Sequence, residues 1–81
     1  MNTMTAKSPS AYSILNPRRP RLNYKGQIVR MVNQNSNVGG ISVADMESLA
    51  AEGVIEIHEI VYPYSLAIDF GQADVIYSVK S

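Results

Sequence analysis

The chain has no cysteine, no tryptophan, one histidine and one phenylalanine among its 81 residues. Without thiols it has no disulfide framework, no thiolate metal site and no cysteine nucleophile, and a reducing cytoplasm is the expected compartment. No apolar run approaches the roughly 20 residues that a helix needs to cross a bilayer, so no membrane partner is expected. Acidic residues are missing from the whole stretch before Asp45. What remains is a chain that is 46% hydrophobic. That is enough for one small domain, although a chain this short buries only about 60% of its unfolded surface and gains from a partner.

Seven basic and seven acidic side chains give a net charge of zero, but they are unevenly placed. Lys7, Arg18, Arg19, Arg21, Lys25 and Arg30 make residues 1–30 +6, whereas Asp45, Glu47, Glu52, Glu56, Glu59, Asp69 and Asp74 against Lys80 make residues 31–81 −6. Such asymmetry fits either a basic arm lying on an acidic body or two surfaces offered to different partners. Exposed ion pairs contribute only about 0–1 kcal/mol each, so pairing alone would hold the arm weakly.

Residues 1–21 are expected to form a flexible basic N-terminal arm, and residues 22–81 a single α+β domain. Pro9, Pro17 and Pro20 remove amide donors and disfavour helix at the residues before them. Tyr12, Ile14 and Leu15 interrupt this polar stretch as a short apolar cluster able to dock on the body or on another protein. From Leu22 the pattern changes. Residues 27–32, rich in β-branched side chains, read as a strand, and residues 33–40, rich in Asn, Ser and Gly, as a loop.

The sharpest local signal lies at 41–53. Ser42 is placed to cap a helix, with Asp45 three positions later completing an approximate capping box and adding negative charge at the positive end. Ile41 and Met46 occupy the hydrophobic-staple positions, Met46, Leu49 and Ala50 form the buried stripe, and Gly53 supplies a left-handed terminus. Beyond Gly53 the period becomes two. Ile55, Ile57 and Val61 share one face of a strand, and Glu56, His58, Ile60 and Tyr62 the other, up to Pro63. A second strand over 66–70, a turn over 71–74 and a third strand over 75–79 complete an antiparallel meander. The expected fold is a small antiparallel sheet or a partly open SH3-like barrel, in the order β-loop-α-β-β-β, preceded by a disordered N-terminal tail.

No catalytic constellation accompanies these elements, and the chain is expected not to be an enzyme. His58 and Glu56 can project from one sheet face, but zinc needs three or four ligands, so neither a metal nor a cofactor is expected. Glu56, Glu59, Asp69 and Asp74 lack a second group at a diagnostic acid–base spacing, and Ser42 is accounted for by capping. The paired glycines Gly39 and Gly40 before the helix lack a phosphate-loop pattern and face Asp45 and Glu47. The most suggestive stretch is 16–25, where Arg18, Arg19, Arg21 and Lys25 lie beside Tyr24. These residues suit carboxylates on a protein and, less well given the acidic remainder, phosphates on RNA or DNA. Tyr62 and Tyr64 around Pro63, with Ile60 open to either face, add aromatic anchors rimmed by acids. The expected partner-binding residues are therefore Arg18, Arg19, Arg21, Tyr24, Lys25, Arg30, Tyr62 and Tyr64.

Residues 26–32, Tyr62-Pro63-Tyr64 and residues 66–70 resemble the strands of SH3-like barrels, from which the helix at 43–52 departs. The small size and the basic-arm, acidic-body arrangement also resemble bacteriophage proteins that bind and redirect a host machine. Inhibitors of host RNA polymerase, for which residues 16–30 are the stretch to compare, are the first such group and anti-CRISPR proteins the second. The resemblance implies a non-enzymatic regulator that works in the host cytoplasm by occupying a surface of a larger protein complex. A regulator that binds RNA or DNA through the arm is the alternative.

Overall fold

The computed structural model describes residues 5–6, 8–36, 39–62 and 71–80. Its elements are α1 (Pro9–Leu15), β1 (Arg21–Leu22), β2 (Ile28–Asn33), α2 (Val43–Glu52), β3 (Ile55–Val61) and β4 (Gln72–Val79). The four strands form one open antiparallel sheet in the order β1-β2-β4-β3. The fold is thus a small α+β arrangement with an antiparallel sheet, and its outer strands β1 and β3 lie at opposite edges. The strand expected over 66–70 falls outside the described residues.

One face of the sheet carries the core. Ala73, Val75 and Tyr77 alternate along β4 and are buried, joined by Val32 from β2 and Ile55 from β3. Met46 and Leu49 of α2 and Ala11 and Ile14 of α1 close over them, so both helices pack on the same face. The α2 signal holds in detail. Ser42 Oγ accepts from the Asp45 amide at 3.3 Å while Asp45 Oδ2 accepts from the Ser42 amide at 2.9 Å, and Gly53 ends the helix at φ 83°. A left-handed residue there is strained for anything but glycine.

β3 departs from simple alternation. Ile57 pairs with Tyr77 but Glu59 pairs with Ile76, so His58 is an extra residue in a β-bulge. The bulge reverses the phase: Ile60 turns inward beside Val75 and packs on the core, whereas Val61, expected to share a face with Ile55 and Ile57, turns outward and is exposed. A bulge moves every following side chain to the opposite face. Nor do residues 72–74 form a turn. Ala73 pairs with Val32 and fills the core, and this pairing extends β4 back to Gln72.

Within the segment expected as a flexible arm, residues 9–15 form a helix. Ser8 Oγ caps α1 by accepting from the Ala11 amide at 3.0 Å, Pro9 suits the first turn, and the spacing of Ala11 and Ile14 puts both on its buried side. The last-turn carbonyls of α1 find donors on the sheet. The Tyr77 hydroxyl donates to the Ile14 carbonyl at 2.8 Å, and Arg30 Nη1 donates to the Ser13 carbonyl at 3.4 Å. Arg30 Nη2 also donates to Ser13 Oγ at 3.3 Å. Such carbonyls have no partner inside a helix, and a cation beside them complements the helix dipole. The apolar cluster therefore docks on the body through Ile14, while Tyr12 stays exposed.

Burial pushes the Tyr77 phenol above its usual value near 10.0, with Arg30 pulling the other way. Folded-state elevation means that this contribution to stability is complete below pH about 10 and is lost as pH rises through the folded-state pKa. Tyr77→Phe strands the Ile14 carbonyl and should lower the unfolding free energy by about 1–3 kcal/mol in urea titrations at neutral pH. It should also remove Tyr77's share of the alkaline loss. An unchanged urea midpoint would show that the hydrogen bond does not hold α1 in place.

Candidate partner-binding groove

Residues 16–20 run from the end of α1 to the start of β1 and, with Tyr12, Ser13 and β2, enclose an open groove of about 490 Å³. Pro17 and Pro20 restrict the path on either side of Arg18 and Arg19. Arg19 sits at φ 49°, the only described residue other than glycine with a positive φ. Arg18, Arg19, Arg21 and Arg30 all line the groove, Arg30 from the helix-bearing face of the sheet and Arg21 from the first residue of β1.

The cations differ in what they already hold. Arg30 is engaged with Ser13. Arg21 Nη2 lies 3.4 Å from Asp74 Oδ2, with both side chains solvent-accessible, and this is the one salt bridge among the described residues. Lys25 Nζ lies 5.6 Å from the centroid of the Tyr24 ring. Arg18 and Arg19 make no hydrogen bond or ion pair with any described residue. Within the cationic segment, Arg18 and Arg19 are therefore not neutralised by the described part of its own body.

The sequence asymmetry becomes a spatial one. The arginines gather beside β1 and α1, whereas Glu56 and Glu59 lie on β3 and Glu47 and Glu52 on α2, which packs against β3 and β4. Three inter-strand spacings put about 14 Å between the edge strands. That exceeds the ~8 Å Debye length at physiological salt, so the acidic edge screens the basic one only slightly. Asp74 beside Arg21, Glu52, which accepts from the Ala6 amide at 3.0 Å ahead of α1, and Glu59, which lines a second pocket with Tyr24 and Lys25, are exceptions.

Of the expected binding residues, Arg18, Arg19, Arg21 and Arg30 are brought together. Tyr24 and Lys25 stand a few residues away on the β1–β2 turn, which Asn23 builds by accepting from the Lys25 and Gln27 amides at 3.0 and 2.9 Å. Tyr24 is 92% exposed there. Tyr62 is exposed at the end of β3, on the opposite edge, and does not join the basic set. Tyr64 lies outside the described residues.

The expected binding set omitted Met31 and Tyr12, the latter read only as part of the apolar cluster able to dock on the body or on another protein; both are exposed groove residues, at 56% and 66%. Met31 was legible as the outward neighbour of buried Val32 in a strand of period two. Tyr12 was not, because its exposure depends on how α1 docks.

His58 Nε2 lies 2.8 Å from Ser78 Oγ, a bond that ties the bulge to β4. Among the described residues no group of three His, Cys, Asp or Glu side chains is placed to hold a metal, and no helix is long and apolar enough to cross a membrane.

Asp74→Asn removes the carboxylate beside Arg21. Because that pair is exposed, the unfolding free energy should change by less than about 1 kcal/mol in chemical denaturation. A much larger loss would mean that the body does neutralise its basic segment. Compared with protein-family models, with curated proteins and with solved structures, the chain matches none.

Proposed function

We propose that the protein is a non-enzymatic regulator that occupies an acidic surface of a larger protein assembly through its β1–α1 edge. The observation that carries this reading is the presence of two arginines, Arg18 and Arg19, without partners among the described residues, on the rim of an open groove. Guanidinium groups pair bidentately with carboxylates. The two prolines flanking them limit the entropy lost when a partner docks. A left-handed arginine adds support, since such strain in a non-glycine residue persists where the surroundings fix it and tends to cluster at binding sites. Tyr12 and Tyr24, both exposed, supply aromatic contact area of the kind that concentrates binding energy. The resemblance to small bacteriophage regulators makes bacterial RNA polymerase the first purified bait to try.

Reversal of Arg18, Arg19 and Arg21 to Glu tests the reading. The triple variant should keep the circular-dichroism spectrum of the parent chain and lose capture of its protein partner from nuclease-treated lysate. Undiminished capture removes the basic edge from the function. Capture that disappears on nuclease treatment of the parent chain points to nucleic acid as the ligand.

A further inference from the structure

Arg18, Arg19 and Arg21 form the cationic rim of the groove, and Arg30, engaged with Ser13, lines it from β2. The groove's apolar lining comes from Ile28, Val29 and Met31 of β2 and from Tyr12 of α1; Val29 and Met31, out of phase with buried Val32, lie on the sheet face away from α1. A bare phosphate chain would use the arginines and leave this apolar lining unmatched.

The sheet edge contributes as well. The Gln27 carbonyl accepts from the Asn23 amide and the Asn33 amide donates to the Ile41 carbonyl, both on the side of β2 away from β4. By the two-residue period of a strand, the Met31 N–H and C=O point the same way. β1 covers Ile28 and Val29, and the Ile41 carbonyl takes the Asn33 amide, so among the described residues this edge is open at Met31 alone. The groove thus combines one open main-chain position at Met31, apolar side chains and a guanidinium rim.

From this combination we infer that the groove receives an extended segment of a partner protein in which carboxylate and apolar side chains alternate. The inference rests on the partner-binding reading above and specifies the partner's chemistry. In an extended chain successive side chains point to opposite sides. Glu or Asp can then meet Arg18 and Arg19 while the residues between them meet Met31 and Val29, and the segment's main chain can bond to the one open edge position at Met31. The protein itself already places a carboxylate against this rim, since Asp74 holds Arg21.

The probe is a short end-capped peptide of alternating Glu and Leu, titrated into the full-length protein by calorimetry. A Gln–Leu peptide and oligothymidine serve as comparisons, and the Arg18→Glu/Arg19→Glu and milder Arg18→Gln/Arg19→Gln variants as receptors. The Glu–Leu peptide should bind. Its affinity should fall at least about tenfold for the Gln–Leu peptide and for the Glu variant, since two exposed charge contacts are lost or reversed, and by less for the Gln variant.

Binding that ignores the arginine substitutions overturns the inference, because the peptide then sits elsewhere. Failure of the peptide to bind, while charge reversal still abolishes capture of a protein partner, also overturns it and leaves the partner-binding reading standing. Oligothymidine bound more tightly than the peptide, through the same arginines, overturns both.

Discussion

The hydrogen bond from the Tyr77 hydroxyl to the Ile14 carbonyl, with the burial of Ile14 beside it, ties the helical side of the groove to the sheet. A helix as short as α1 does not hold together in water by itself, because nucleation costs more than so few internal bonds return. Its stability must come from the sheet. Burying Ile14 contributes about 1.5–3 kcal/mol. Tyr77 and Arg30 then satisfy carbonyls that would otherwise face an apolar surface without donors. Once α1 is fixed, the short path from Asn16 to Arg21 is fixed at both ends, and the arginines it carries have a defined place to point.

Docking of α1 also turns a one-dimensional charge pattern into a surface. The sheet order puts the first strand and the strand that follows α2 at opposite edges, so Arg18 and Arg19 stand apart from most of the acids, although Glu59 lines a pocket with Lys25 and Glu52 reaches the Ala6 amide. A chain of zero net charge can therefore present a local cationic field around Arg18 and Arg19 to a partner. Asp74 shows where the separation is incomplete, and its exposed pair with Arg21 is too weak to lock the rim against a competitor.

The parts of the fold legible in sequence were those written in local chemistry. The α2 capping box, its glycine terminus, the β2 run and the alternation around Val75 and Tyr77 each follow from side chains near one another in the chain. The α1 helix was written locally too, in Ser8, Pro9 and the spacing of Ala11 and Ile14, but three prolines and the basic composition weighed the segment toward extended chain. Tertiary burial outweighed that composition. The bulge at His58 was not legible, since an extra residue in β3 is specified only by its register with β4, and with it went the orientation of Ile60 and Val61. Arg18, Arg19, Arg21 and Arg30 were recognisable as a set. Their convergence with Tyr12 and Met31 was not, because it depends on α1 lying on the sheet.

Amide hydrogen exchange at Tyr12 and Asn16 tests this account most directly. In the folded protein the Tyr12 amide donates to the Ser8 carbonyl at 3.1 Å and the Asn16 amide to the Tyr12 carbonyl at 2.8 Å. If α1 is docked by Tyr77 and Ile14, these amides exchange far more slowly than in an unstructured peptide, and Tyr77→Phe speeds them more than it speeds the amides of β3 and β4. Exchange at unstructured-peptide rates while the sheet stays protected would contradict the account, since the groove would then have no wall on its helical side.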